Sequence, residues 1–516
     1  MPRSGCPDRS RSSPCQSDSL ALPQLRLSLN PDDLEPLCAA ALAPVRKRHG
    51  IYYTPRPVAE RIVSDALDAL PGLNRKKVPW LRIIDPACGC GAFLAAAMRV
   101  LHRRFGVLPE PENICGIELQ PLAVETATLR LRWLYLNLTG RPGAPRIVRA
   151  DALRENIFPA ASFDLVLGNP PFVPISAIPE PEKSRLRGLY RFTNGRFNLF
   201  SLFIEQGARL AREGGVCGWL APDRLLLNTQ GEPMRRWLLT EQHLISVAAL
   251  PPGLFGKAVV DSAAVIFRRE RMPPDARIRI DEAGSVPAAD ILAFPGCRIV
   301  SGLCRDGAFL RPLLAHSVPL GQIADVRDGV IQGTVGDELF PDTPDRAANP
   351  KPLLTGRDVV PMKTSPRSRW IDYDPVRMND LEESRRGARA NGLRMRSPDI
   401  FERPKVLTRQ TADRIVAACD SAGRYYYANT LHGTSPRPGT VSLHFLAVVM
   451  NSAVVDRWYR LVASESGKPF PQVKIAILKR LPVCRASRPQ QCAVLRAYRS
   501  GGRTAAEPLI ETLYGL

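Results

Sequence analysis

At 516 residues, 45% of them hydrophobic, the chain is long enough to bury two or more cores. A formal net charge of +21 favours polyanions, nucleic acid before anionic membrane, although an arginine-rich composition also follows from genome base composition. There is no uncharged apolar run of about 18 residues, and Asp8, Arg9 and Arg11 stand where a secretory signal would be apolar, so a cytoplasmic chain without a membrane span is expected.

Residues 1 to about 40 are rich in Ser, Pro and Arg and read as a flexible or peripheral arm, with a short helix over 31–42. From His49 the pattern changes. Tyr53-Thr54-Pro55 leads into Val58, Ile62, Val63, Ala66, Leu67 and Leu70, which are spaced as one helix face. A strand over 81–85 ends in Asp85, and 92–104 has helical spacing. Strands over 114–118, 146–149 and 163–168 follow, each ending at or near a polar residue: Glu118, Asp151 and Asn169. A helix over 123–136 separates the first two of these strands. A helix over 199–211 and strands over 216–221, 245–250 and 263–268 complete the region. Strands alternating with helices predict an α/β sheet covered on both faces, with ligands at the carboxyl ends of its strands. Past about residue 270 the rhythm breaks into an irregular α+β region. The expected division is an arm over 1–48, a catalytic domain over 49–275, a second domain over 280–484 and a loosely packed helix and tail over 485–516.

The polar residues at the strand ends carry the chemistry. Asp85-Pro86-Ala87-Cys88-Gly89-Cys90-Gly91 lies between a strand and a helix. Glycines there admit a tight turn and close approach of a ligand, and the helix start offers free amide donors to an anion. Glu118, at the end of the next strand, is placed to accept both hydroxyls of a ribose, and Asp151 to accept from an adenine amine. A dinucleotide enzyme uses similar acids, but the third glycine of its fingerprint is absent: Leu94 stands there. Asn169-Pro170-Pro171-Phe172 points to an amine acceptor. Consecutive prolines stiffen the loop and leave its carbonyls as acceptors. A carbonyl and the Asn169 side-chain oxygen together accept both hydrogens of an NH2 group, freeing its lone pair for attack on a methyl. Phe172 offers a face for stacking a planar base. Of the twelve cysteines, only Cys88 and Cys90 fall close together in a turn, and no second pair has zinc-ligand spacing, so no metal is expected.

Together these residues resemble the gamma-class DNA adenine-N6 methyltransferases of the TaqI type, strongly over 49–270 and more weakly over 318–484. The resemblance implies a Rossmann-like class I methyltransferase sheet with a C-terminal α+β DNA-recognition domain. It implies S-adenosyl-L-methionine as cofactor, held by Thr54, Asp85, Ala87, Gly89, Glu118 and Asp151. Asn169 and Pro170 match the positions that hold the target amine, with Pro171 in the same loop, and Phe172 matches the residue that stacks on the flipped base. Leu254-Phe255-Gly256-Lys257 resembles a later motif whose aromatic, Phe255, would form the base's second wall. Leu353–Asp358 and the stretches 450–453 and 479–483 resemble parts of the family's DNA-reading domain. Arg403, Lys405, Arg409 and Arg414 flank apolar residues there and are candidates for phosphate contacts, whereas Tyr425-Tyr426-Tyr427 reads as core strand. Cys88 and Cys90 are not demanded by the family pattern and receive no catalytic role.

The expected activity is therefore methylation of adenine N6 in duplex DNA, within a restriction-modification or defence system. The alternatives are another planar amine (protein glutamine, an RNA base or cytosine N4) and a DNA-binding relative without activity. Cytosine enzymes usually carry serine where Asn169 stands, and a glutamine enzyme has little use for some two hundred further residues. The residues before Tyr52 are too few for a nuclease domain, so cleavage is expected from a separate endonuclease or defence partner.

Overall fold

The computed structural model describes residues 54–194, 197–250, 261–331, 340–374, 376, 396–463 and 472–516, together with Pro31, Leu34 and Cys38. The expected helix over 31–42 and Phe255 with its motif therefore fall largely or wholly outside the described residues.

Helix α1 (Arg56–Asp68) starts where Pro55 fixes the backbone, and buries Val58, Ile62, Val63, Ala66 and Leu67 along one face. There follow β1 (Ile83–Asp85), α2 (Ala92–Phe105), β2 (Ile114–Glu118), α3 (Pro121–Thr139), β3 (Arg146–Arg149) and β4 (Phe163–Gly168). Next come α4 (Glu180–Leu189), α5 (Leu199–Leu210), β5 (Ala211–Pro222), α6 (Glu232–Thr240), β6 (His243–Ala249) and β7 (Ser262–Arg268). All the strands and most of the helices expected from hydrophobic spacing are present, most within a few residues of their expected ends. The chief exception is β5, which begins at Ala211 rather than 216.

These strands form one nine-stranded sheet in the order β3-β2-β1-β4-β5-β7-β6-β8-β9, in which β8 (Arg277–Ile280) and β9 (Gly284–Pro287) extend the edge. Strands β1 to β5 are mutually parallel, and β7 runs antiparallel between β5 and β6. This is the doubly wound sheet expected for a class I methyltransferase. The sheet continues past residue 275, the expected end of the catalytic domain, because β8 pairs in parallel with β6. Alternation divides the strand residues between two cores. Ile83, Ile114, Leu165 and Leu167 face α1 and α2, while Ile84, Cys115, Ile117 and Val166 face the other layer.

The second core continues into the C-terminal half, whose main sheet has the order β10 (Ala324–Asp328), β16 (Leu431–Pro436), β13 (Lys405–Arg409), β14 (Ala417–Asp420). A smaller sheet joins β12 (Trp370–Asp372), β11 (Pro350–Leu354) and β15 (Tyr426–Tyr427). Tyr426 and Tyr427 are buried core residues, as expected.

The chain's end departs from expectation. Residues 485–516 do not form a loose tail. Helix α9 (Arg488–Tyr514), two helical segments joined at a kink at Gly501-Gly502, is opened by a capping box between Ser487 and Gln490 and packs on α7 (Leu443–Met450) and α8 (Ala453–Val462). Tyr514 is fully buried, and its hydroxyl donates to the Pro482 carbonyl at 2.7 Å. The pattern misled because buried positions along α9 are sparse: Gln491, Val494, Ala506, Ile510 and Tyr514. Tyr514→Ala should therefore cost about 3–5 kcal/mol, read as a fall in the urea unfolding midpoint. An unchanged midpoint would show that the helix contributes nothing to the core.

Candidate active site

The order of the strands reverses between β1 and β4, which opens a crevice at their carboxyl ends. A cavity of about 430 Å³ lies there, and Thr54, Asp85, Ala87, Gly89, Glu118, Asp151, Asn169 and Pro171 all line it. Residues separated by more than a hundred positions thus share one wall.

The turn after β1 is built around Asp85, which is 1% exposed; its Oδ1 accepts from the Ala87 amide at 2.9 Å. Burial raises its pKa to about 8, against the opposing Ala87 hydrogen bond, and Glu118 adds a smaller push in the same direction. Gly168, at the end of β4, lets that carboxylate approach: a Cβ there would come within 2.8 Å of Asp85 Oδ1. Gly91 stands at the start of α2 with φ +81°, a left-handed conformation that favours glycine. The Cys88 thiol is buried beside both acids, and burial holds its pKa well above the ordinary value. A thiol so held is a poor nucleophile, consistent with its having no catalytic role.

Glu118 braces two sides of the cavity. Its Oε2 accepts from the Gly89 amide at 3.0 Å and its Oε1 from the Gln120 amide at 2.8 Å. Asp151 follows β3, and its Oδ1 accepts from the Leu153 amide at 3.0 Å. Asn169 immediately follows β4, and its Nδ2 donates to Thr54 Oγ1 at 3.0 Å. With the amide nitrogen on Thr54, the Asn169 carbonyl oxygen stands at the other end of the amide as an acceptor. Thr54 is buried just before α1. Pro170 and Phe172 are not part of the cavity wall. Pro170 is buried, and Phe172 is half-buried and meets Phe200 edge-to-face at 6.4 Å. The loop therefore has one side on the cavity and the other against α5.

Several lining residues were not foreseen from the sequence: Arg154, Val173, Ile178, Pro179, Glu182, Leu186 and Phe203. Only Arg154 carried a signal, its spacing of three from Asp151. Val173, Ile178 and Pro179 come from the loop after Phe172, Glu182 and Leu186 from α4, and Phe203 from α5, whose first residues resemble the family's helix after the catalytic loop.

The proposed phosphate contacts fare unevenly. Lys405 is completely buried in β13, where its ammonium pairs with Asp420 at 2.6 Å. It has no path to a DNA phosphate, and that expectation is corrected. A lysine in an alternating strand points either to solvent or to the core, and here a buried acid drew it inward. Arg403 is partly exposed but pairs with Asp325 at 2.7 Å. Arg409 is partly exposed, and its Nε donates to the Val359 carbonyl at 2.7 Å.

Comparison with known proteins agrees with this architecture. Residues 112–253 match the Eco57I restriction-modification methylase family, and residues 351–483 the TaqI-like C-terminal specificity domain. The sheet order and the crevice at its switch point agree with a class I methyltransferase fold, and a region similar to restriction-modification methylases precedes one similar to the TaqI-like specificity domain. The type II methyltransferase M.TthHB8I of Thermus thermophilus is 24% identical over 415 residues, 78% of this chain and 85% of its own length. M.BanIII of Aneurinibacillus aneurinilyticus is 24% identical over 234 residues, 44% of this chain, and the chain spans only 39% of that relative. The type IIL restriction-modification enzyme MmeI, solved in complex with DNA, superposes with a TM-score of 0.60 at 15% identity, over 94% of this chain and 79% of MmeI, a likeness of fold.

The residues present fit S-adenosylmethionine. The cavity has room for a nucleoside-sized ligand, Glu118 and Asp151 are acceptors suited to ribose hydroxyls and an adenine amine, and Asp85 is an acid suited to a cation. Among the described residues no helix is long and apolar enough to cross a membrane.

Two outcomes follow. The folded pKa of Asp85 lies above its unfolded value, so its contribution to stability is present at low pH and is lost as pH rises from about 4 through about 8. Asp85→Asn should therefore melt higher than the parent at pH 8, with the difference shrinking toward pH 5. The parent's affinity for S-adenosylmethionine should grow over the same range while the variant's stays flat and weak. Calorimetry at several pH values measures both, and parallel curves would remove Asp85 from the site. Lys405→Ala leaves Asp420 buried without its cation and should cost about 3–5 kcal/mol, without altering the salt dependence of DNA binding by the folded fraction. A reduced salt slope would return Lys405 to the interface.

Proposed function

We propose that this chain transfers a methyl group from S-adenosylmethionine to the N6 amine of an adenine swung out of duplex DNA. The observation that carries the reading is the position of Asn169, its amide fixed by Thr54, on the wall of the cavity that Asp85, Glu118 and Asp151 also line.

S-adenosylmethionine, when bound, supplies an electrophilic sulfonium methyl. Glu118 and Asp151 bind the nucleoside part, and the amides at the start of α2 with Asp85 bind the charged amino-acid end. The Asn169 oxygen and the Pro170 carbonyl accept the two hydrogens of the target amine. The amine's lone pair is thereby drawn out of conjugation with the ring and becomes a better nucleophile. Phe172 stacks on the extruded base, an interaction worth about 1–3 kcal/mol at comparable sites, which offsets part of the cost of unstacking. Pro170 and Pro171 keep the loop from relaxing away, so catalysis comes chiefly from positioning. Phe255 is proposed as the second wall, from the sequence resemblance alone. The basic surface would hold DNA through phosphates, Arg403 and Arg409 among the contacts, with the specificity domain choosing the site. Asparagine rather than serine at position 169 favours adenine over cytosine.

Transfer of tritium from labelled cofactor to DNA, RNA and protein should label DNA alone, and hydrolysis of that DNA should yield N6-methyladenine. Asn169→Ala should lower transfer by at least about 100-fold and leave cofactor affinity within about 3-fold, since the residue acts in the transition state. Label on cytosine, or an active variant, would refute the reading.

A further inference from the structure

The adenine end of the cavity is closed by an ion pair that no sequence motif announces. Arg154 stands three residues after Asp151 and forms an ion pair with it, Nε lying 2.9 Å from Asp151 Oδ2. The same guanidinium donates from Nη2 to Glu182 Oε2 at 2.5 Å. Glu182 belongs to the first turn of α4 and also accepts from Arg185 at 2.7 Å. The Arg185 hydrogen bond, together with the nearby Arg154 charge, holds the Glu182 carboxyl below the usual range despite partial burial. Asp151, Arg154 and Glu182 all line the cavity, and so does Leu186 one turn further along α4. Asp151 and Glu182 are three-quarters buried or more, while the Arg154 side chain is half-exposed.

One residue thus joins two parts of the site. The Asp151 carboxylate has one oxygen on the Leu153 amide and the other against the Arg154 charge, which biases it toward one orientation. Glu182 ties the same arginine to the helix that follows the Asn169–Phe172 loop, across Val173, Ala177, Ile178 and Pro179, all of which face the cavity. A planar fork of donors bridges two carboxylates with fixed geometry. A lysine ammonium is a single point charge on a flexible stem.

We propose that Arg154 is a positioning residue for the cofactor's base. It sets the Asp151 acceptor toward the exocyclic amine and draws α4 in as the outer wall of the adenine pocket. The proposal rests on the reading of this cavity as an S-adenosylmethionine site.

Two probes separate this role from a merely structural one. S-adenosylhomocysteine carries the amine, and S-inosylhomocysteine carries a carbonyl oxygen in its place. Calorimetric titration of the full chain should show tighter binding of the adenosyl compound. In Arg154→Ala its affinity should fall about 3- to 20-fold, the range for loss of two partly exposed ion pairs, while the inosyl compound changes less, so the preference between them shrinks. Arg154→Lys should restore part of the preference, and Glu182→Gln should weaken both compounds. Unfolding midpoints of the three variants should stay near the parent's, since the arginine is half-exposed. The proposal is overturned if Arg154→Ala keeps both the affinity and the preference of the parent, or if both compounds weaken equally in every variant. If the parent binds neither compound, the cofactor reading itself fails, a result distinct from a parent that binds and a variant that does not differ.

Discussion

The hydrogen bond from the Asn169 amide to the Thr54 hydroxyl closes the site. Thr54 precedes the first helix of the sheet domain, and Asn169 follows its fourth strand. A bond between them forms only when α1 lies across the sheet in register with β4. The bond also holds the Asn169 amide in place, with its nitrogen on Thr54 and its oxygen as the acceptor. An amide free to rotate would present donor and acceptor in turn, and an NH2 group needs acceptors alone. Two stiff prolines then keep the neighbouring carbonyl at a fixed offset from that oxygen.

The acids beside this bond differ in how they are held. Glu118 and Asp151 each accept from backbone amides. Asp85 has one such bond and is otherwise desolvated, so in the absence of a cation it is largely neutral near pH 7. A buried acid of this kind lowers the stability of the folded chain at alkaline pH and gains affinity for a positively charged ligand. The glycine at 168 belongs to the same arrangement, since any side chain there would collide with the Asp85 carboxylate or with Trp219.

The C-terminal half is not a detached module. Its helices share the core that covers one face of the nine-stranded sheet, and Arg480, next to a strand-forming segment near its end, pairs with Glu232 of α6 at 2.5 Å. Arg298 reaches across to the Val462 carbonyl at 2.8 Å. Such contacts fix the orientation of the C-terminal half against the crevice at the strand ends.

Strand and helix positions in the first 270 residues were legible because local spacing dictates them: period two along β2 and β4, helical period along α1 and α2. The polar residues that line the cavity were legible too, because strand ends concentrate polar groups and because a double proline has few uses. The sequence could not show where long side chains go. Lys405 reads as a surface cation and lies in the core, since a buried Asp420 lies opposite it in the antiparallel register of β13 and β14. Arg154 and Glu182 are 28 residues apart and meet only because α4 folds back over the end of β3. The tail over 485–516 looks weakly apolar yet completes the core, because a long helix needs few buried side chains when the neighbouring helices supply the rest. Composition and local order thus determined the class of fold and which polar residues stand at the strand ends. Only the tertiary structure decided which charges face each other, since that depends on the packing of elements distant in the chain.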